Sequence, residues 1–300
     1  MEPKISVISV NWNRKDDLLK MLISLYKQKF SNFEIIIVDN ASTDSSIEAV
    51  SKKFPKVKII KMEKNIGLFA GFNKGAEKAR GEIIFGIDND CLIKDDELFK
   101  KTTEKFNALP NLGILACLVK DLSTNKELPN TPAIISLGNP EEGYDCLQFS
   151  GNAFAIRNNL FNEIGGFNED YFIYVGEAEL SMRYIDAGHL CKFFPDLVVY
   201  HATSQQSRSK LYDYYVTRNL LWWYWQYFPF LNLVKRGFGF GPLMKKLVIY
   251  KEIHFNLNFL RGISDAFVGL PKILKNRRPY SRKAMEYFYE IIKEDKKAKR

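Results

Sequence analysis

The sequence predicts an α/β protein with a mostly parallel sheet flanked by helices, followed by a basic, aromatic and helical C-terminal extension. β-rich runs alternate with helical patterns over the first 90 residues, and this alternation favours parallel strands with crossover helices. Net charge marks the extension, because residues 1–200 have a net charge of −4 and residues 201–300 one of +13, within a total of +9. The sequence therefore predicts two domains, 1–205 and 206–300.

The elements of the first domain follow in regular order. Apolar, β-branched runs predict strands at 5–10, 34–38, 57–61 and 82–87. Helical periodicity and N-cap residues predict helices at 16–29, from about 45, and at 67–80. Shorter apolar segments at 115–119, 148–156 and 197–200 complete the predicted sheet.

Composition excludes several classes of protein. The chain has 300 residues, 46% of them hydrophobic, which is sufficient for a buried core. Its four cysteines are widely separated and form no C-x-x-C pair, so the sequence indicates neither a zinc site nor a disulfide framework. The N-terminal residues lack the basic-then-apolar layout of a signal peptide, and we therefore expect a cytoplasmic protein.

The triplet Asp88-Asn89-Asp90 directly follows the predicted strand at 82–87. A strand that ends in two carboxylates delivers them to the crevice where open α/β sheets bind ligands. Oxygen ligands of this kind suit Mg²⁺ or Mn²⁺, which also bind phosphate oxygens. An isolated D-x-D triplet is usually a solvated turn, so the prediction of a metal site depends on its position.

Polar side chains also follow the first two predicted strands. Asn11 and Asn13 follow the first strand and Asp39 follows the second. Because parallel strands end at the same edge of the sheet, we expect these residues to share a crevice with the triplet. The chain contains neither G-x-G-x-x-G after the first strand nor a P-loop. A nucleoside diphosphate held by a metal fits better; the alternative is that Asp39 only forms a turn.

Several motifs occur in a fixed order between residues 5 and 201. They are S-V-I-S-V-N-W-N-R, I-I-I-V-D-N-A-S-T-D-S-S, N-x-G at 65–67, the DND triplet, G-N-A-F-A-I-R at 151–157, G-G-F-N-E at 165–169 and V-V-Y-H at 198–201. Each motif is weak alone, but their order and spacing together are specific. Together they resemble the family 2 glycosyltransferases, which have the GT-A fold, and in particular a rhamnosyltransferase-like branch.

The resemblance assigns roles to residues of this chain. It implies that Asp90 and Asp88 bind a divalent metal, Mn²⁺ or Mg²⁺, and that His201 is a late metal ligand. It also implies a set of residues that contact the nucleotide-sugar donor. These are Asn11, Asn13, Asp39, Asn65, Gly67, Asn73, Asp88, Asn89, Gly151 and Asn152.

The same resemblance implies a carboxylate base in the segment that leads to Arg183. Alignment back from Arg183 places Glu177 at the position of the base, with Glu179 as the alternative. Gly176 departs from the family pattern, in which an acidic residue stands there, so a catalytically inactive nucleotide-sugar binder is a further alternative. Without the family, both acids would be helix N-terminal residues. Arg157 could bind a diphosphate or form a structural salt bridge, and so could Arg183.

The extension contains a 16-residue uncharged stretch at 219–234 that is rich in tryptophan and tyrosine and flanked by basic residues. This stretch is too short to span a bilayer and is interrupted by Pro229. Aromatic residues with nearby cations favour an anionic membrane surface. The alternative is that the aromatic residues pack against the first domain.

Three hypotheses about function follow. The first is a metal-dependent, inverting glycosyltransferase that uses a glycan or lipid-linked glycan acceptor and is peripheral on the inner face of the cell membrane. The second is transfer to a polyprenyl phosphate. The third is a nucleic-acid-binding protein that uses the basic tail; because it leaves the acidic crevice unexplained, we do not expect nucleic acid as a partner.

Overall fold

The computed structural model describes residues 2–128, 139–202 and 211–298. Nine strands in the described residues form one sheet. The strands are β1 Ile5–Asn11, β2 Phe33–Asp39, β3 Lys58–Lys61, β4 Ile83–Ile87, β5 Cys91–Leu92, β6 Leu112–Asp121, β7 Tyr144–Asp145, β8 Ala153–Arg157 and β9 Leu190–His201.

Eleven α-helices in the same residues surround the sheet and form the C-terminal part. They are α1 Lys15–Leu25, α2 Ser46–Lys53, α3 Leu68–Ala76, α4 Leu98–Ala108, α5 Asn158–Ile164, α6 Gly176–Asp186, α7 Tyr212–Tyr227, α8 Phe230–Lys235, α9 Phe240–Met244, α10 Leu257–Lys275 and α11 Arg282–Ala298.

The sheet has the order β3-β2-β1-β4-β8-β6-β9-β5, with β7 paired to β9. The first four strands in this order are parallel, as the alternating sequence pattern predicts. Beyond β4 the sheet is mixed, because β8 runs antiparallel to both of its neighbours while β6 and β9 are parallel. The α/β prediction is confirmed, but the parallel arrangement is limited to the part that carries the crevice and to the β6–β9 pair.

Alternate residues of the central strands enter two apolar clusters, one on each face of the sheet. Val7 and Ile35 pack in the cluster that contains α1, whereas Ile8 and Ile36 pack in the cluster that contains α3. All four side chains are almost fully buried. Strands covered on both faces read as continuous apolar runs, which explains the I-I-I-V run of β2.

The part of the aromatic stretch that forms α7, residues 219–227, lies largely in the core. Trp223, Trp225 and Tyr227 of α7 are each less than 10% exposed, and they belong to the same apolar cluster as Ile8. These side chains of α7 therefore pack against the sheet of the first domain, as one of the two alternatives predicts, whereas membrane association of the extension stays a prediction. No helix in the described part of the chain is long and apolar enough to cross a bilayer.

The boundary predicted at residue 205 follows the change in charge, and the division into two domains remains a prediction. Tyr280 of the extension packs in the cluster that contains Ile8, and its hydroxyl donates a hydrogen bond to the Glu179 carbonyl at 3.4 Å. The basic part of the chain therefore contributes directly to the core beneath the sheet.

Candidate active site

The ends of β1, β2 and β4 meet in one crevice, as predicted. Asn11 is fully buried and lies at its centre. Its Nδ2 donates to Oδ1 of Asp39 at 3.2 Å, and its Oδ1 accepts from Nδ2 of Asn89 at 2.8 Å. The three strand ends are thus joined by a chain of side-chain hydrogen bonds.

The loop after β2 is held in place by two of the predicted donor-binding residues. Oδ2 of Asp39 accepts from the backbone N–H of Ser42 at 3.0 Å, and Oδ1 of Asn13 accepts from that of Thr43 at 2.7 Å. The turn role that the sequence allowed for Asp39 is therefore present. Contact of Asp39 and Asn13 with a nucleoside remains a prediction, and the hydrogen bonds fix the loop that would make it.

The N-x-G motif shapes the start of α3. Oδ1 of Asn65 accepts from the N–H of Gly67 at 2.9 Å. Gly67 has φ +92°, and a Cβ there would lie 2.7 Å from the carbonyl oxygen of Phe172. A glycine is required at this position because both the left-handed backbone and the close approach exclude a side chain.

Asn73 lies in the second turn of α3 and binds the G-G-F-N-E loop. Its Nδ2 donates to the carbonyl of Phe167 at 2.9 Å, and its Oδ1 accepts from the Phe167 N–H at 3.0 Å. Because both ends of the amide are used in this way, we interpret Asn73 as a residue that positions the loop.

The two carboxylates of the DND triplet have different surroundings. Oδ2 of Asp88 accepts from Nδ2 of Asn152 at 2.8 Å. Burial, reinforced by the charge of Asp90, raises the pKa of Asp88 to about 7. Asp90 is 9% exposed, and its Oδ1 lies 3.2 Å from Nε2 of His201. Arg14 lies on the other side of Asp90, with 3.5 Å between Nη1 and Oδ2.

His201 is the last residue of β9, and strand pairing places it directly opposite Cys91. Burial lowers its pKa, but the hydrogen bond and charge of Asp90 outweigh this, so the pKa is raised above its usual value. Its Nδ1 is buried without a hydrogen-bond partner. The long strand β9 therefore brings a residue that is 111 positions distant in the sequence to the DND triplet.

Asp90, Cys91 and His201 each offer one ligand atom, and these atoms lie within 4.8 Å of one another. A carboxylate and an imidazole fit Mn²⁺. Burial raises the pKa of Cys91 well above its usual value, so its thiol is protonated and a poor ligand for a hard cation. The sequence analysis missed Cys91, and the signal was its position directly after the triplet. Among the residues that the structure describes, this group of three potential ligands does not include Asp88, which the sequence predicts as a metal ligand.

Glu177 and Asp88 line one narrow cleft. Gly151 lines it as well, and a Cβ on Gly151 would lie 2.5 Å from Oε1 of Glu177. Burial raises the pKa of Glu177 to about 7. The rest of the cleft is apolar and is lined by Ile8, Val10, Leu68, Phe69, Phe72, Ile87, Phe154 and Phe167.

Gly176, which departs from the family pattern, lies directly against the ring of Phe69. A Cβ at this position would lie 2.5 Å from that ring, so the close approach leaves no room for a side chain.

Glu179 has a structural role. It is fully buried, and Arg183 binds both of its oxygens, at 2.6 Å through Nε and 2.9 Å through Nη2. This ion pair favours a structural role for Glu179, and its assignment as the alternative base stays a prediction. Arg183 also donates to the carbonyl of Ile164, at 2.8 Å.

Arg157 binds backbone carbonyl groups inside the fold. It donates to the backbone carbonyls of Leu112 and Phe106, at 2.9 and 2.7 Å. Of the two roles that the sequence left open for Arg157 and Arg183, the structural role is the one observed. For Arg183 this is an ion pair, whereas Arg157 binds carbonyl oxygens.

The backbone that leads into Glu177 is strained and is held by the extension. Phe172, Tyr174 and Val175 have φ values of 64°, 67° and 71°, a region that residues with side chains rarely occupy. Nδ2 of Asn219 lies 2.9, 2.8 and 3.0 Å from the carbonyl oxygens of residues 171, 173 and 174. Sequence reasoning missed Asn219; its signal is a polar residue between Arg218 and a run of aromatic residues.

The chain belongs to glycosyl transferase family 2, whose model matches residues 6–168. An uncharacterized glycosyltransferase of Haemophilus influenzae is 31% identical over 184 residues, which cover 56% of this chain and 59% of that protein. A second match from that organism is 36% identical over 102 residues, 33% of this chain and 41% of the relative. The N-acetylglucosaminyl-diphospho-decaprenol L-rhamnosyltransferase of Mycobacterium tuberculosis is 22% identical over 269 residues, 74% of this chain and 87% of that protein.

Solved structures share the fold. Staphylococcus aureus TarS 1-349 in complex with UDP-GlcNAc is similar with a TM-score of 0.61 and 18% identity, over 91% of this chain and 84% of that one. The mannosyltransferase PcManGT of Pyrobaculum calidifontis, in complex with GDP-Man and Mn²⁺, is similar with a TM-score of 0.60 and 17% identity. The similarity covers 92% of this chain and 73% of that one. These similarities show a GT-A architecture, as the sequence motifs predicted.

Proposed function

We propose that this protein is a metal-dependent, inverting glycosyltransferase that moves a hexosyl or deoxyhexosyl group from a nucleoside diphosphate donor to a hydroxyl group. The observation that carries the proposal is the shared cleft of Glu177 and Asp88, with Asp90 and His201 beside it. A potential base and a potential metal site thus lie at the two sides of one small space. Membership of the family supports the same reaction.

Glu177 would act as the general base. An acceptor hydroxyl has a pKa far too high for unaided attack, and a positioned carboxylate typically contributes about 10²–10⁴-fold. The pKa of about 7 makes Glu177 a stronger base than an exposed glutamate while leaving much of it ionised near neutral pH. Attack from the side of Glu177, with departure of the diphosphate on the opposite side, would invert the anomeric centre.

Asp90 and His201 would hold the metal, which we propose to be Mn²⁺ or Mg²⁺. When bound, such a cation stabilises the negative charge that develops on the leaving diphosphate. Asn152 fixes the Asp88 carboxylate by its 2.8 Å hydrogen bond, so Asp88 would be oriented before the donor arrives. The Asn11, Asp39 and Asn89 network would present the nucleoside site.

The acceptor we propose is a glycan or a lipid-linked glycan at the inner face of the cell membrane. The mycobacterial relative supports this, since its name describes a sugar carried on diphospho-decaprenol. Direct transfer to a polyprenyl phosphate remains the alternative within the same chemistry. We do not expect nucleic acid as a partner, because the aromatic residues of α7 that would stack on bases are buried.

Calorimetric titration with UDP, GDP and dTDP, with and without Mn²⁺, tests the proposal. We expect one nucleotide to bind in a metal-dependent manner to the wild type. The variant Asp90→Ala should lose the dependence on Mn²⁺, while Asp96→Ala, an exposed acid whose partner is Lys29, serves as the matched control. Folded wild-type protein that binds none of the three nucleotides would contradict the proposal.

A further inference from the structure

Helix α10 is apolar on two opposite sides. One side packs on α7 and consists of small and apolar residues, namely Phe259, Gly262, Ala266 and Ile273, all buried. The other side is exposed and carries Leu257, Leu260, Phe267, Val268 and Leu274. At about 100° per residue, the exposed set occupies one arc of roughly 120°, opposite the buried set.

The apolar side chains on the outer side of α10 are exposed to an unusual extent. Leu257 is 84% exposed and Val268 is 76% exposed. A helix that is apolar on both sides is normally covered on both sides, because each exposed apolar side chain retains an unfavourable contact with water. Scattered exposed residues are ordinary, but a continuous stripe along a 19-residue helix is typical of a binding surface.

The segments that precede α10 in the chain also expose apolar side chains. Exposed apolar residues are concentrated between residues 230 and 257, before α10 begins. They are Phe230, Leu231, Val234, Phe238, Met244, Val248, Ile249, Tyr250 and Phe255.

The same region is strongly basic. Residues 230–278 contain ten lysines and arginines and only two acidic residues, a net charge of +8, whereas residues 1–200 have a net charge of −4. Lys251 precedes α10 and Lys275 ends it, and both are exposed. Cations at the borders of an apolar stripe are typical of helices that lie in the interface of an anionic bilayer.

We propose that the exposed stripe of α10, with its flanking cations, docks on a bilayer that carries anionic head groups. The helix lies parallel to the surface, and its exposed leucine, valine and phenylalanine side chains enter the boundary between head groups and acyl chains. This inference adds to the proposed function the face by which the enzyme would approach a lipid-linked acceptor. The buried aromatic residues Trp223 and Trp225 of α7 are not part of this surface.

Vesicle flotation tests this proposal with the complete chain. We expect the wild type to float with vesicles of phosphatidylglycerol and phosphatidylcholine and to bind pure phosphatidylcholine much more weakly. The double variant Leu257→Gln/Val268→Gln should lose roughly tenfold or more of its partitioning, since each change removes an apolar side chain from the interface. The control Ile23→Gln, an exposed apolar residue of α1, should partition as the wild type does.

Three results would overturn the proposal: no binding to either vesicle, equal binding to both, or unchanged partitioning of the double variant. A dimer in sedimentation velocity that the double variant dissociates, without vesicle binding, would assign the stripe to a second copy of the chain. Nucleotide titration of the same double variant separates this inference from the proposed function. Unchanged nucleotide affinity with lost flotation supports the docking surface, whereas a wild type that floats but binds no nucleotide contradicts only the transferase.

Discussion

Because Gly151 has no side chain, the carboxylate of Glu177 can lie directly beside its backbone. A Cβ on Gly151 would lie 2.5 Å from Oε1 of Glu177, and the other nearby atoms, at 3.5 and 3.7 Å, belong to the same side chain. The glycine of the G-N-A-F motif is therefore explained by a contact with the proposed base. Its neighbour Asn152 fixes Asp88 on the other side of the cleft.

The variant Gly151→Ala should lower kcat without unfolding the protein. The clash involves the far end of a flexible side chain, so Glu177 can move aside at small cost to stability. A displacement of about 1 Å at a reacting group can reduce turnover roughly 10²-fold. Steady-state kinetics and thermal unfolding together measure the two effects.

A double-mutant cycle provides the control for Gly151→Ala. In the background Glu177→Gln the added methyl group should cause no further loss of turnover, because the group it displaces no longer acts as a base. Additive losses would mean that Gly151 acts independently of Glu177.

The variant Asn219→Leu should destabilise the protein and reduce turnover. It removes the amide that lies against three backbone carbonyls of residues 171–174 and leaves them buried without this donor. Unsatisfied buried polar groups cost about 1–3 kcal/mol each, and the strained loop before Glu177 loses its support. Urea unfolding gives the loss of stability, and the ratio of kcat to nucleotide affinity shows whether the base has moved.

Thr217→Val on the same helix is the matched control for Asn219. Thr217 is fully buried and its hydroxyl has no hydrogen-bond partner. The substitution should therefore be neutral or slightly stabilising. Equal behaviour of the two variants would show that the Asn219 amide has no special role.

The sequence predicts the crevice well because strand ends are local features. Asn11, Asp39 and Asp88 each directly follow an apolar run, and parallel pairing then brings them to one edge. For His201, only the family motif predicts a place beside Asp90. Its approach to Asp90 depends on the pairing of two strands that are distant in the sequence, β5 and β9.

The sequence of the aromatic extension fits two different structures. A run of tryptophan and tyrosine beside basic residues is compatible with both a membrane surface and a core, and periodicity does not separate them. The structure buries Trp223 and Trp225 and exposes leucine and valine of α10 instead. The contact of Asn219 with residues 171–174 depends on tertiary packing, which a single sequence does not encode in any local pattern.

Glu177→Gln should raise the free energy of unfolding at high pH and leave it almost unchanged at low pH. Burial raises the pKa of Glu177 from 4.5 to about 7, so the folded state binds a proton more tightly than the unfolded state does. The stability of the wild type therefore falls as pH rises from about 4.5 to 7, by about 3 kcal/mol at most. Urea unfolding at pH 4.5 and pH 8 measures the difference, and equal effects of the substitution at both values would contradict burial of the carboxylate.

The most direct test of the central claim is the turnover of wild type and Glu177→Gln at saturating donor, followed as release of the nucleoside diphosphate. We expect Glu177→Gln to bind the nucleotide with unchanged affinity but to turn over about 10²–10⁴-fold more slowly. The wild-type rate should also rise with pH through about 7, as Glu177 loses its proton. Undiminished turnover of Glu177→Gln would contradict the assignment of the base.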